Sequence, residues 1–138
     1  MTRIKLNPEH IKFISLFEKI TKVTSRDCII DEKVITFIVK QGEGSKAIGK
    51  AGINTKKLEK MFAKRIKITE LCDDLPSFIG NLCYPLKGLE ISLEGEDVII
   101  IGPDVKTKGL LIGRNSQNLK KLEETAKRYF KFNTIKVK

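Results

Sequence analysis

Ile48-Gly49-Lys50-Ala51-Gly52 recurs in the second half of the chain as Ile112-Gly113-Arg114-Asn115-Ser116. The agreement continues past the glycines, because the Lys56-Lys57 pair has its counterpart in Lys120-Lys121 at the same interval, and a leucine follows each pair. A single glycine turn is a weak signal, but a turn repeated with its flanking apolar and basic residues indicates an internal repeat. The sequence therefore predicts two copies of one module within 138 residues.

The spacing of apolar residues predicts the same order of elements in both halves. In the first half, Asn7 is placed to cap a helix, two β-branched runs form a hairpin, and Ser45 caps a short helix that reaches the glycine turn. A longer helix and an alternating strand at residues 65–69 follow. The second half repeats this order, with the pair Asp73-Asp74 at the start of its first helix and Asp104 at the start of its second. The predicted order of elements in each module is therefore helix–strand–strand–helix–turn–helix–strand, which is an α+β arrangement.

The junction between the modules lies near residue 72, which defines domains at residues 1–71 and 72–138. Each half is so short that it would be marginally stable alone, so we expect the halves to pack together. The joint is only a few residues long and has no tract of glycine and serine, so we expect it not to act as a flexible tether.

The charge of the chain is strongly basic and unevenly distributed. There are 27 lysines and arginines against 17 acidic residues, a net charge of +10. Residues 1–71 carry +8 of this and residues 72–138 carry +2, and Glu59 is the one acidic residue within residues 46–67. A lysine-rich solvated surface is one interpretation. The scarcity of acidic residues around both glycine turns favours the other, which is a polyanionic partner such as nucleic acid.

Several other functions are excluded by residue content. One histidine and three cysteines without a Cys-x-x-Cys pair do not make a zinc site, and we expect reduced thiols and a cytoplasmic location. There is no apolar run long enough to span a membrane, so we expect no membrane partner. The stretch Gly42–Lys46 lacks the spacing of a phosphate loop, and His10 has no nucleophilic partner. We therefore expect no enzyme activity, no cofactor, no metal and no small-molecule substrate.

The glycine turn has a physical use at a polyanion. Glycine allows backbone to approach a sugar-phosphate chain closely, and the first-turn N–H groups of the following helix are free to bind an anion. Lys50 and Arg114 add a cation beside each turn, and the lysines on the next helix extend the positive surface. Ile48, Ile53 and Ile112 either contact unstacked bases or belong to the interface between helix and sheet.

The repeated Ile-Gly-x-x-Gly pattern, within this order of elements, resembles the KH domain, and the helix-first order resembles its type II, prokaryotic form. The resemblance implies three-stranded sheets packed by helices, and binding of about four nucleotides of single-stranded nucleic acid at each turn. Two tandem type II copies with almost no linker resemble the archaeal NusA-type transcription factors over nearly the whole chain. That likeness implies a factor that binds single-stranded RNA, the nascent transcript, in transcription elongation and termination, with RNA polymerase as a further partner.

The resemblance places the RNA-binding residues at the two turns and at the starts of the helices that follow. They are Ile48, Gly49, Lys50, Ala51, Gly52, Ile53, Lys56, Lys57, Ile112, Gly113, Arg114, Asn115, Ser116, Gln117 and Lys120. In the second turn, Ser116 replaces the last glycine. Serine is a good N-cap, but its side chain hinders close backbone approach. We therefore expect the first site to bind more strongly, and a second turn that is only a structural remnant is the alternative.

Two other functions fit the same residues. Type II KH domains also occur in ribosome assembly and translation, so the RNA partner is either a nascent message or ribosomal RNA. In the other alternative the glycine turns are vestigial and the chain is a protein adaptor of polymerase. RNA and single-stranded DNA both fit the chemistry of the turns.

Overall fold

The computed structural model describes residues 8–138, which form two compact units that divide between Cys72 and Asp73. The helices and strands of the first unit, in chain order, are α1 (Pro8–Thr21), β1 (Ser25–Ile30), β2 (Val34–Val39), α2 (Gly44–Ile48), α3 (Ile53–Phe62) and β3 (Arg65–Glu70). Those of the second unit are α4 (Leu75–Cys83), β4 (Glu90–Glu94), β5 (Asp97–Ile101), α5 (Val105–Ile112), α6 (Gln117–Lys127) and β6 (Ile135–Val137). A 3-10 turn joins α2 to α3 at Lys50–Gly52, and another joins α5 to α6 at Arg114–Ser116. The predicted order of elements is present in both units.

Each unit contains one three-stranded sheet with the same topology. In the first unit β1 pairs with β2 in antiparallel fashion and β2 pairs with β3 in parallel fashion, and β4, β5 and β6 repeat this pattern. The parallel pair is possible because α2 and α3 carry the chain back between β2 and β3. The predicted α+β class with three-stranded sheets is confirmed.

The core of each unit lies where helices meet the sheet. In the first unit Phe17 of α1 stacks on Phe37 of β2, with ring centroids 4.3 Å apart, and Leu58 of α3 is fully buried beside them. In the second unit Ile79 of α4 and Ile100 of β5 occupy the corresponding core. Apolar residues at helical spacing therefore anchor the long helices, and this anchoring sets where the glycine turns lie.

The starts of the short helices differ between the units. Ser45 was expected to cap α2, but α2 begins one residue earlier, and no side chain caps it locally. The carboxylate of Glu70, at the end of β3, instead accepts from Gly42 N–H at 3.0 Å and from Gly44 N–H at 2.9 Å. In the second unit Asp104 caps α5 as predicted, accepting from Thr107 N–H at 2.7 Å, and this hydrogen bond lowers the pKa of its carboxyl. Asn7 lies outside the described residues.

A glutamate on each long helix holds the start of the strand that follows. Glu59 of α3 accepts from Ile66 N–H at 3.3 Å, and Glu123 of α6 accepts from Ile135 N–H at 3.1 Å. The two glutamates are separated by the same interval as the two glycine turns, although the connection after α6 is longer than the one after α3. A side-chain hydrogen bond therefore joins the long helix to the start of the last strand in each unit.

The pKa of Glu123 predicts a dependence of stability on pH. Partial burial raises its pKa, but hydrogen bonds from Ile135 N–H, Lys127 and Thr134 outweigh this and bring the pKa below the ordinary 4.5. A depressed pKa means that the ionised carboxylate stabilises the folded unit above about pH 4.5, and that this stabilisation is lost as the pH falls further. Glu123→Gln should remove this part of the pH dependence, by about 1 kcal/mol or less for a partly exposed group.

Urea denaturation of wild type and variant between about pH 3 and pH 7 measures the difference. Glu124→Gln is the matched control, because Glu124 is the exposed neighbour on the same helix. If the free energy of unfolding changed with pH equally in wild type and Glu123→Gln over this range, the assignment would be contradicted.

Candidate nucleic-acid interface

The first glycine turn reverses the chain between two helices within four residues, and we call residues 48–53 the first corner. Gly49 has φ 82° and ψ 168°, and Ala51 (φ 55°) and Gly52 (φ 71°) are two successive residues in the left-handed region. Helix α3 begins directly after them at Ile53. The corner is therefore a defined backbone conformation and not a flexible loop.

The second corner, residues 112–117, follows the same backbone path. Gly113 has φ 73° and ψ 175°, and Asn115 (φ 57°) and Ser116 (φ 59°) are left-handed like their counterparts. Left-handed backbone costs about 1–2 kcal/mol for a residue other than glycine. The second unit therefore keeps this conformation although two non-glycine residues carry it.

A side chain would have different consequences at the two glycines of the first corner. A β-carbon on Gly49 would lie 2.8 Å from Nδ2 of Asn54, and its backbone angles fall in a region that is essentially confined to glycine. A β-carbon on Gly52 would meet nothing within 4 Å. The first position is therefore a glycine in both corners, whereas the last tolerates Ser116 in the second.

The side chain of Ser116 does not cap α6, contrary to what we expected. Ser116 stands at the N-cap position, but its left-handed backbone is not the extended conformation of a capping serine, and its hydroxyl makes no capping hydrogen bond. The helix starts here because the 3-10 turn leads into it.

Two backbone N–H groups of the turn have no acceptor within residues 8–138, and the start of the following helix is partly satisfied. Gly52 N–H donates to Gly49 O at 3.1 Å, and Ile53 N–H donates to Lys50 O, so the helix start is partly satisfied from within. Among the described residues, no acceptor takes the N–H groups of Lys50 and Ala51. The second corner repeats both features at the corresponding residues. Each corner therefore has two successive backbone donors without a protein acceptor in the described part of the chain.

The predicted cations lie beside these donors on the surface. Lys50 and Arg114 are exposed in the corners themselves. The predicted polar residues of the following helices are exposed as well; they are Lys56, Lys57, Gln117 and Lys120. Unpaired amides with an exposed cation next to them are features that bind anions in proteins, and phosphate is the anion that a nucleic acid offers.

The apolar residues of the corners are more exposed than core residues. Ile48 is 40% exposed and Ile53 is 49% exposed, whereas Ile112 is half-buried. The interpretation of Ile48 and Ile53 as core residues is therefore wrong. They form an exposed apolar rim on the first corner.

Two asparagines beside the corners were not predicted from the sequence. Asn54 Nδ2 donates to Lys46 O at 3.5 Å, and Asn118 Nδ2 donates to Leu110 O at 2.9 Å. Each bond joins the first turn of a long helix to the last turn of the short helix before it. The signal was present, because these asparagines are separated by the same interval as the two glycine turns.

Other kinds of site have no support within residues 8–138. No three His, Cys, Asp or Glu side chains in this range lie close enough to hold a metal ion together. None of the helices described there combines the length and the apolar character needed to cross a bilayer.

Comparison with known proteins agrees with this geometry. Residues 13–73, which include the first corner, match the KH domain family. A protein of Methanocaldococcus jannaschii named probable transcription termination protein NusA is 35% identical over 99% of this chain and 76% of its own length. A protein of the same name from Thermoplasma acidophilum is 28% identical over 100% of this chain and 98% of its own. The crystal structure of APE1850 matches 96% of this chain and 100% of that chain, with a TM-score of 0.71 and 28% identity.

The fold and the corner of residues 13–73 define a KH-domain protein, the class that the sequence resembled. The extent of the sequence similarity decides the family within that class. Relatives from two methanogens are each 35% identical over nearly the whole chain. The chain belongs to the family of archaeal NusA proteins.

The geometry of the corner predicts unequal costs for its two glycines. Gly52→Ser, which reproduces the residue of the second corner, should lower the free energy of unfolding by about 1 kcal/mol, since only backbone strain is added. Gly49→Ala should cost about 2 kcal/mol or more, because its new β-carbon also meets Asn54. Urea denaturation of both variants measures the costs, and equal losses would contradict the assignment.

Proposed function

We propose that the chain is a single-stranded RNA-binding factor that acts on nascent transcripts in transcription elongation and termination. We further propose that it consists of two tandem type II KH domains, residues 1–71 and 72–138. One observation carries the proposal: the two corners share one backbone conformation, and each has two amides without an acceptor among the residues described, beside an exposed cation. The printed name of the relatives, transcription termination protein, supports the choice of process.

The proposed interaction begins at the phosphates. A phosphate accepts hydrogen bonds from the N–H groups of Lys50 and Ala51, while the ammonium group of Lys50 neutralises its charge. Because a β-carbon on Gly52 would meet only open space, this glycine leaves room for the sugar-phosphate chain. Ile48 and Ile53 supply the apolar rim for the adjacent bases, and the lysines of α3 extend the positive surface.

The two sites differ in side chains and not in backbone. The first unit has the larger positive charge, and Gly52 places no side chain where Ser116 places one. We therefore propose that the first corner binds RNA more strongly than the second. The proposed action is binding and not catalysis, the proposed location is the cytoplasm, and RNA polymerase is the proposed protein partner.

Reversal of the charge in each corner tests the site. Lys50→Asp with Ala51→Asp should reduce affinity for single-stranded RNA by tenfold or more, since two carboxylates then face the phosphate. Aspartate tolerates left-handed backbone better than alanine does, so the fold should persist. The matched variant is Arg114→Asp with Asn115→Asp, and we expect a smaller loss. Fluorescence anisotropy with a labelled RNA of about 12 nucleotides and random sequence measures both. Unchanged affinity in both double variants would overturn the proposal.

The salt dependence of binding tests the role of the cation separately. For single strands, each phosphate neutralised contributes about 0.7 to the slope of log affinity against log salt concentration. Lys50→Ala should therefore lower the slope by about 0.7 and leave the amide donors in place. Lys33→Ala, at an exposed lysine of the β1–β2 turn, is the control. Slopes that agree within error for wild type and Lys50→Ala would show that Lys50 does not contact phosphate.

Crosslinking and sequencing of the RNA bound in cells tests the proposed process. Nascent messages should dominate the crosslinked RNA. Dominance of ribosomal RNA would instead assign the chain to ribosome assembly or translation.

A further inference from the structure

We propose that Asn54 and Asn118 are positioning residues, each of which holds its corner in the conformation that binds phosphate. The inference rests on the proposed function, because it concerns the same two corners. It adds residues that do not themselves need to contact RNA.

The contacts place each asparagine across its corner. Asn118 lies in the first turn of α6, and its Nδ2 donates to the carbonyl of Leu110 in the last turn of α5, at 2.9 Å. Asn54 makes the equivalent bond from α3 to Lys46 O of α2, at 3.5 Å. An asparagine that capped its own helix would accept from amides of that helix through Oδ1. Here the side chain donates backwards, and it therefore ties the two helices together.

The glycine at the start of each corner provides the space for this side chain. A β-carbon on Gly113 would lie 2.7 Å from both Cγ and Nδ2 of Asn118, and one on Gly49 would lie 2.8 Å from Nδ2 of Asn54. Atoms this close have no room for an additional carbon. The asparagine side chain thus packs directly against the glycine, and this contact explains why both residues recur at the same spacing.

Backbone strain shows why the corner needs such a tie. Asn115 and Ser116 are successive left-handed residues, and neither is a glycine. Strained conformations of this kind persist only where the surrounding structure determines them. The hydrogen bond of Asn118 spans these residues, and it is the shorter of the two bonds. In the first corner Gly52 relieves part of the strain, and the longer bond of Asn54 accompanies it.

The unpaired amides are the functional consequence. The N–H groups of Arg114 and Asn115 have no protein acceptor among the described residues, and their direction is set by the backbone angles of the corner. If the tie is removed, the turn can relax towards ordinary right-handed backbone, and the two donors no longer point at one phosphate. Asn118 should therefore affect affinity without carrying any charge, and more strongly than Asn54 does.

The first test needs no RNA. In the full-length protein, backbone chemical shifts of Asn115 and Ser116, which report φ and ψ, should leave the left-handed range in Asn118→Ala. Asn133→Ala is the matched control: it also removes a single hydrogen bond of an exposed asparagine in the second unit, the one to Asp97 at 3.1 Å. Shifts that stay left-handed in Asn118→Ala would overturn the inference, whatever the protein binds.

The second test measures the affinity for RNA of a protein whose first corner is disabled by Lys50→Asp with Ala51→Asp. Affinity for the random RNA of about 12 nucleotides should fall about threefold to tenfold in Asn118→Ala, the range that one hydrogen bond controls. The salt slope should stay unchanged, whereas Arg114→Ala should lower it by about 0.7. If Asn118 had only a structural role, Asn118→Ala would lower the midpoint of thermal unfolding to near the temperature of the binding assay. The loss of affinity would then come from unfolding, and this outcome would overturn the inference too.

The two proposals fail differently. If the wild-type protein binds no RNA, the proposed function fails, and with it the role of the asparagines in binding. If the wild type binds, and Asn118→Ala does not weaken binding in the protein with the disabled first corner, the asparagine does not position the second corner. A loss of the same size in Asn133→Ala would also overturn the inference.

Discussion

The rest of the structure depends on the reversal of the backbone between two helices within four residues. An L-amino acid resists the left-handed region, so a turn that needs two such residues in succession forms only where glycine, a hydrogen bond or a packed neighbour supports it. Along this path the N–H groups of Lys50 and Ala51 have no protein acceptor among the described residues. The site is a by-product of how the two helices are joined.

The internal repeat separates the strict requirements of this corner from the loose ones. Gly49 and Gly113 share an extended ψ together with a positive φ and face an asparagine, and both features exclude a side chain. The last position has a left-handed backbone but open space, and it is Gly52 in one unit and Ser116 in the other. A sequence pattern written as Gly-x-x-Gly gives the two positions equal weight, whereas only the first is determined by packing.

The sequence predicted those features that depend on near neighbours. Asp104 lies three residues before the amide that it accepts from, so local spacing was enough to identify it as a cap. The cap of α2 comes from Glu70, which is distant in sequence from Gly44, and no local pattern predicts that contact. Asn54 and Asn118 were missed for a different reason: an exposed asparagine at a helix start looks like an ordinary solvated residue. Only their separation, which equals that of the glycines, distinguished them.

The two units also separate geometry from charge. Their corners share a backbone, and Glu59 and Glu123 hold the following strands in the same way. Their net charges, however, are +8 and +2. Backbone donors determine where a phosphate lies, because their direction is fixed by φ and ψ. Lysines determine how strongly and at what salt concentration it is held, because counterion release scales with the number of neutralised phosphates. Two sites with one geometry and unequal charge should therefore differ more in salt sensitivity than in the path that they impose on the RNA backbone.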